Sequence, residues 1–331
     1  MIDPWSGFVD LQVNGYAGVN FSSDTLTLDD VLAVTHTLAR RGTLAFCPTV
    51  ITSSDAVYRH ALPVLAAAMR DSRSQGRLLG IHLEGPFISP ADGAVGAHPV
   101  EFVRPPSVDE FDALYRLAEG RVALLTLAPE LPGAVDLIRR AVSLGVAVSI
   151  GHTLADGPAV RAAVEAGARL STHLGNGCPN LLHRHHNPIW PQLAAGELSA
   201  MLITDGHHLP PEVIAAFLAA KGPGRTLVTS DSAPAAGCPP GEYAFFGTRA
   251  LLEPSGRLRN LERDTLAGSA AAMLDCMNFL ASLRLLSEAE LWRVGRDNPL
   301  AALGKTASGI AVLPPEARPV LVNGRFRLGG G

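Results

Sequence analysis

Residues 146–173 read VAVSIGHTLADGPAVRAAVEAGARLSTH, and this stretch decides the fold. An apolar run (146–152) ends in His152, and a second short one (169–173) ends in His173. Between them Asp156 suits a helix N-cap and Pro158 its first turn, with Val160, Ala163, Val164 and Gly167 at helical spacing. The runs are apolar without alternation, as expected of strands covered on both faces. The reading is strand, helix, parallel strand, with a histidine at each strand end.

Working outward, similar runs stand at 8–13, 44–50, 78–84 and 122–128 before it, and at 199–205 and 226–231 after it. Helical periodicity fills 55–70, 107–119, 133–144 and 211–221. Eight strand–helix units in about 230 residues fit a closed (β/α)8 barrel, with a doubly wound open sheet as the alternative. Residues 266–304 read as additional C-terminal helices, so the barrel unit is expected to span 1–304. The tail, 305–331, carries a hairpin signal in Asn323-Gly324 between short apolar runs, and glycines 329–331 read as a loose end.

The 331 residues are 47% hydrophobic and 18% charged, which suits a compact α/β protein. A net charge of −4 argues against general nucleic-acid binding. Cys47, Cys178, Cys238 and Cys276 are too scattered for a disulfide framework or a cysteine–zinc site. No signal peptide or membrane-length apolar run is visible, so a soluble cytoplasmic protein is the expectation.

Polar groups at the C-terminal ends of barrel strands converge on one mouth. Here these are Gln12 and Asn14, Glu84, His152, His173, Asp205 and Asp231, from six different strands. One carboxylate and two imidazoles (Glu84, His152, His173) make a suitable ligand set for zinc or another divalent transition metal, with a position left open for water. Asp231, among the small residues of SDSAPAAG (230–237), suits an acid/base that takes a proton from water and later gives one to a leaving amine. Capping of the next helix is the plainer role for such an aspartate.

These residues lie in a series of motifs: GFVDLQVNGYAG (7–18), HLEGPFISP (82–90), GAHP (96–99), LAPE (127–130), GHT (151–153), THLGNG (172–177), HR (183–184), DGHH (205–208), SDSAPAAG (230–237) and LAGS (266–269). In this order they resemble the N-acetylglucosamine-6-phosphate deacetylases of the amidohydrolase superfamily, from Gly7 to about Leu303. The resemblance implies hydrolysis of the N-acetyl amide of an amino sugar, N-acetylglucosamine 6-phosphate above all, to acetate and the free amine. It implies Glu84, His152 and His173 as metal ligands, Asp231 as the acid/base and His98 as the group polarising the amide. Asn176, Gly177, Arg184 and His208 match the family's substrate contacts, with Arg184 on the phosphate.

Many amidohydrolases carry His-x-His on the first strand for a second metal; this chain has Gln12-Val13-Asn14. Amides bind such ions poorly compared with imidazoles, so the expectation is one divalent metal, zinc or else iron, cobalt or manganese, with Gln12 and Asn14 as the remnant of a second site. After Arg184 the family's Glu-Pro-Gly is replaced by His185-His186-Asn187-Pro188-Ile189-Trp190, an altered pocket loop. This keeps open another N-acyl substrate: an unphosphorylated amino sugar, an N-acyl amino acid or a cyclic amide. A silent sugar-phosphate-binding barrel is the reading from a different class. The family's accessory β-sandwich is expected to be absent or reduced to the hairpin, leaving a barrel face that a homodimer would cover.

Overall fold

β-branched and aliphatic runs buried on both sides form the eight strands of one parallel sheet: β1 (Phe8–Val13), β2 (Thr43–Ile51), β3 (Ile81–Glu84), β4 (Val122–Leu127), β5 (Ala147–Ile150), β6 (Leu170–Ser171), β7 (Ser199–Ile203) and β8 (Thr226–Thr229). Their spatial order is their chain order, as in a barrel and unlike a doubly wound sheet. The structure, a computed structural model, describes residues 7–263 and 265–329. The stretch before Gly7 and the last two glycines therefore lie outside the described residues, whereas the Gly329 N–H donates to Arg318 O at 2.9 Å.

Eight helices follow the eight strands: α1 (Leu28–Arg40), α2 (Asp55–Arg70), α3 (Val108–Leu117), α4 (Ala134–Ser143), α5 (Gly157–Ala166), α6 (Ile189–Ala194), α7 (Pro211–Lys221) and α8 (Met273–Ser282). In α5 the Asp156 side chain accepts from Ala159 N, a cap that stabilises a helix by about 1 kcal/mol. At its other end Gly167 adopts φ +116°, and its N–H returns to Ala163 O and Val164 O.

Between β1 and β8 side chains replace most of the ladder. Asp10 Oδ1 accepts from Thr229 Oγ1 (2.7 Å) and Ser230 N (3.1 Å), and Oδ2 from Ser230 Oγ (2.5 Å). Above them Asn14 N donates to Ser232 O at 2.9 Å. Burial pushes the Asp10 carboxyl upward from its usual range, against these hydrogen bonds.

Two expectations need correction, and one element is new. The strands are shorter at their exits: β5, β6, β7 and β8 stop two residues before His152, His173, Asp205 and Asp231. The helical reading of 266–304 fails at its start: Ala267 N donates to Leu258 O and Ser269 N to Asp231 O, so Leu266–Ser269 runs extended along other chain segments. Alanine-rich helix propensity is overridden there by backbone pairing, and α8 begins only after Ala272. The new element, a three-stranded antiparallel sheet of β9 (Gly241–Phe245), β10 (Thr248–Leu252) and β11 (Leu258–Asn260), occupies a stretch that carried no expectation.

The tail hairpin, β12 (Pro319–Val322) and β13 (Arg325–Leu328), turns at Asn323 and Gly324 with φ +51° and +76°. Phe326 packs edge-on against Phe8 (5.1 Å) and Trp292 (5.2 Å), so the hairpin covers the N-terminal end of the barrel, opposite the mouth. Aromatic contacts of this kind contribute about 0.5–1.5 kcal/mol each beyond area burial.

Candidate active site

Glu84 ends β3, whereas His152, His173 and Asp231 sit on the turns just beyond β5, β6 and β8. All three turn residues hold left-handed backbone conformations, with φ of +50°, +31° and +50°. Non-glycine residues adopt this region at a cost, and such strain clusters at functional sites. Here it bends each side chain from the strand direction toward a common centre.

That centre is Glu84 Oε1. It lies 3.0 Å from His173 Nε2, 3.3 Å from His152 Nε2 and 2.7 Å from Gln12 Nε2, while the two imidazole nitrogens are 3.0 Å apart. His152 Nδ1 faces Ala94 O at 2.8 Å, so its proton resides there and the Nε2 lone pair points into the cluster. His173 Nδ1 is buried without a partner among the described residues. Two imidazole lone pairs and a carboxylate oxygen meeting this closely are chemically suited to a shared cation, so the donor set fits one divalent metal. Burial opposes ionisation of Glu84, yet the His152 and His173 rings against it bring its carboxyl well below the usual range.

His98 also belongs to this cluster. Its Nε2 is 3.8 Å from Glu84 Oε2, and Glu84, His98 and His152 together present ligand atoms within 4.8 Å of one another. Thr52 N donates to His98 Nδ1 at 3.4 Å, which leaves the proton of the neutral ring on Nε2, facing the cavity. Burial first, and then the neighbouring His152, keeps the ring neutral by lowering its pKa well below the ordinary value.

Asn14 Nδ2 donates to Asp231 Oδ1 at 2.7 Å. Gln12 and Asn14 thus present amide N–H groups to the two carboxylates, and their buried amide oxygens have no partner among the described residues. Enclosure, then the charge of Glu84, pushes the Asp231 carboxyl up to about 8. Below the centre a chain of buried hydroxyls (Thr49, Thr126, Thr172 and Ser149) surrounds His82, which burial holds neutral with a pKa of about 4.

The cavity above has a volume of about 310 Å³, and its walls include Asn14, Glu84, His98, His152, His173, Asn176, Gly177, His208 and Asp231. Gly177 has φ +60°, and a Cβ there would lie 3.0 Å from His173 Cε1 and 3.1 Å from His152 Nδ1. Only glycine lets the loop pass this close to both rings. His208 Nδ1 meets Asp205 Oδ2 at 2.8 Å, and Ser269 Oγ donates to the same oxygen at 3.0 Å. Arg184 stands apart. It is exposed and does not line the cavity, in a surface turn pinned by Trp190 Nε1 on its carbonyl (2.9 Å) and by His183 Nδ1 accepting from His185 N and His186 N. The expected contact of Arg184 with substrate is therefore not prefigured by the cavity walls of the single chain. Sequence reasoning missed Arg257 and Phe246 as cavity walls and read the LAGS motif (266–269) as the start of a helix, whereas Leu266, Ala267 and Gly268 also wall the cavity. The turn residues Pro254-Ser255-Gly256 signal a bend, but nothing local says that it overhangs the mouth.

The profile of the amidohydrolase family matches residues 6–303, and the chain belongs to that family. It is 32% identical over 301 residues to the N-acetylglucosamine-6-phosphate deacetylase of Bacillus subtilis, covering 90% of this chain and 74% of the relative. It is 30% identical over 297 residues to the N-acetylgalactosamine-6-phosphate deacetylase of Escherichia coli O157:H7, covering 90% and 77%. A solved mutant of the N-acetyl-D-glucosamine-6-phosphate deacetylase from Mycobacterium smegmatis, in complex with N-acetyl-D-glucosamine-6-phosphate, superposes with a TM-score of 0.84 at 28% identity, over 97% of this chain and 86% of that one. Within the amidohydrolases the chain therefore groups with the N-acetylglucosamine-6-phosphate deacetylases, as its motifs implied.

Proposed function

We propose that the protein is a metal-dependent deacetylase that hydrolyses the N-acetyl amide of an amino-sugar 6-phosphate, N-acetylglucosamine 6-phosphate first, to acetate and the free amine. The observation that carries this reading is the meeting of Glu84, His152 and His173 at one point beside Asp231, inside a cavity of sugar size. The likeness to deacetylases over most of the chain supplies the substrate class.

Glu84, His152 and His173 would hold one divalent ion, and zinc suits two imidazoles and a carboxylate. When bound, the ion would polarise the acyl oxygen and acidify a water. Asp231 takes the proton of the attacking water and passes it to the departing amine, oriented by the Asn14 amide. A cation beside Asp231 opposes the upward push on its pKa, so the base form is available at neutral pH. His98 donates its Nε2–H to the acyl oxygen as negative charge builds there. Gln12 and Asn14 occupy the place of a second ligand pair as hydrogen-bond donors, which favours a single metal. Asn176 and Gly177 form the wall against the sugar, and His208, fixed by Asp205, presents its other nitrogen.

The deciding experiment loads purified protein with zinc, iron, cobalt or manganese. Acetate release is then assayed from N-acetylglucosamine 6-phosphate, its galactosamine epimer and unphosphorylated N-acetylglucosamine. Turnover of a 6-phosphate sugar is expected; metal-loaded protein inert on all three would refute the proposal. No helix among the described residues is long and apolar enough to cross a membrane, and a cytoplasmic site is where sugar phosphates are available. A homodimer is supported by Leu181 (93% exposed) and Trp190 (51%), and sedimentation as a monomer would remove it.

A further inference from the structure

Among the described residues, β1 and β8 pair through the backbone only where Val13 faces Ser232. Deeper in the seam the buried Asp10 carboxylate stands in for the ladder. Its Oδ1 reaches both ways, accepting from Gln12 N (3.2 Å) on its own strand and from Ser230 N (3.1 Å) across the seam. Gln12 in turn donates from its side chain to Glu84. One carboxylate thus holds the backbone behind Glu84 and the backbone that leads into Asp231.

Ser230 carries this hold past Asp231. Its hydroxyl donates to Asp10 Oδ2 and accepts from Ser232 N at 3.1 Å, so a single oxygen spans the residue between. The far side of the turn is fixed as well: Ser269 N donates to Asp231 O at 3.1 Å, and Ser232 Oγ donates to Gly15 O at 3.1 Å. Inside this bracket Asp231 holds φ +50°, which an ordinary residue keeps only where its surroundings enforce it. Asp10, Ser230 and Ser232 are all buried, which shields their hydrogen bonds from competition with solvent. Neither Asp10 nor Ser230 is on the described walls of the cavity.

We propose that Asp10, acting through the Ser230 hydroxyl, is a positioning residue that imposes the turn aiming Asp231 at the reacting centre. This rests on the acid/base role of Asp231 in the deacetylase reading above. Thr229 supplies a matched contrast. Its Oγ1 donates to the same Asp10 oxygen at 2.7 Å, yet it lies on β8 before the turn and brackets nothing.

The test compares wild type, Asp10→Asn, Ser230→Ala and Thr229→Ala at saturating metal, each with its metal content and melting temperature measured. In Asp10→Asn and Ser230→Ala, kcat on N-acetylglucosamine 6-phosphate is expected to fall roughly tenfold to a hundredfold, the cost of misplacing a reacting group by about an ångström. KM should stay near the wild-type value. Thr229→Ala should lower the melting temperature and leave kcat unchanged. A wild-type kcat in folded, metal-loaded Ser230→Ala overturns the proposal, as does an equal fall in Thr229→Ala. Should Asp10→Asn fail to fold, Ser230→Ala carries the same test, since it keeps the buried carboxylate. Crystal structures of the metal-loaded proteins read the turn without catalysis. If the wild type turns over no sugar, the deacetylase reading fails, and this second arm still decides. Asp231 leaving its left-handed conformation and its 2.7 Å bond from Asn14 in Ser230→Ala, but not in Thr229→Ala, supports the clasp. An unmoved Asp231 in Ser230→Ala refutes it.

Discussion

The two halves of the pocket are built differently. The inner half stands at the ends of parallel strands and on the loops that follow them, where Glu84, His98, His152 and His173 are buried and bonded to one another or to backbone. The outer half is a canopy, the antiparallel sheet β9–β11, with one face packed on Ala233, Ala235 and Ala267 and the other exposed, and with side-chain ties at His207 and Arg263. A reacting centre needs positions fixed to a fraction of an ångström, which a barrel rim supplies. A recognition surface tolerates movement and is free to vary, as loops on a rigid scaffold do.

If that division holds, substitutions should sort by half. Asp231→Asn is expected to lower kcat by about 10²–10⁴-fold, the usual worth of a positioned acid/base, with metal content unchanged by elemental analysis. Equal loss of metal would recast Asp231 as a ligand. Gln12→Ala removes the amide that holds Glu84 and should weaken metal binding by about 10–100-fold, as other losses of ligand support do; competition with a chelator measures it.

The inner half also carries a pH signature when stripped of metal. The folded Asp231 carboxyl titrates at about 8 against 3.8 unperturbed, so its contribution to stability is full below about pH 4 and is lost as pH rises through 8. Melting temperatures of metal-free wild type should fall across that window relative to Asp231→Asn, and parallel curves would contradict the assignment. The smallest effect belongs to the canopy. Arg263→Ala removes a tether worth about 1 kcal/mol, and is expected to raise KM with kcat little changed in steady-state assays.

Most of the barrel was legible because burial on both faces writes itself as unbroken apolar runs, each followed by helical periodicity. The inner half of the site was legible for the same reason: a polar residue just past such a run has one place to go. The strand exits were misjudged by two residues because His152, His173 and Asp231 turn on their own backbone angles, which no side-chain pattern encodes. The canopy was illegible because β9 to β11 are short and partly exposed, and Leu266–Ser269 pairs with β11 and with Asp231–Ser232, partners that its local composition cannot express.

The amides of β1 carry one further consequence. Gln12 reaches across to β3 and Asn14 to the exit of β8, so the strand that closes the barrel is fastened partly through the active site. Occupancy of the centre and closure of the β1–β8 seam then belong to one thermodynamic cycle. Whatever binds the closed form more tightly must slow its opening, and whatever loosens the seam must weaken binding by the same factor. The enzyme's grip on its ion is in that sense a property of the whole cylinder, and amide exchange at Asn14 would register it from outside the chemistry.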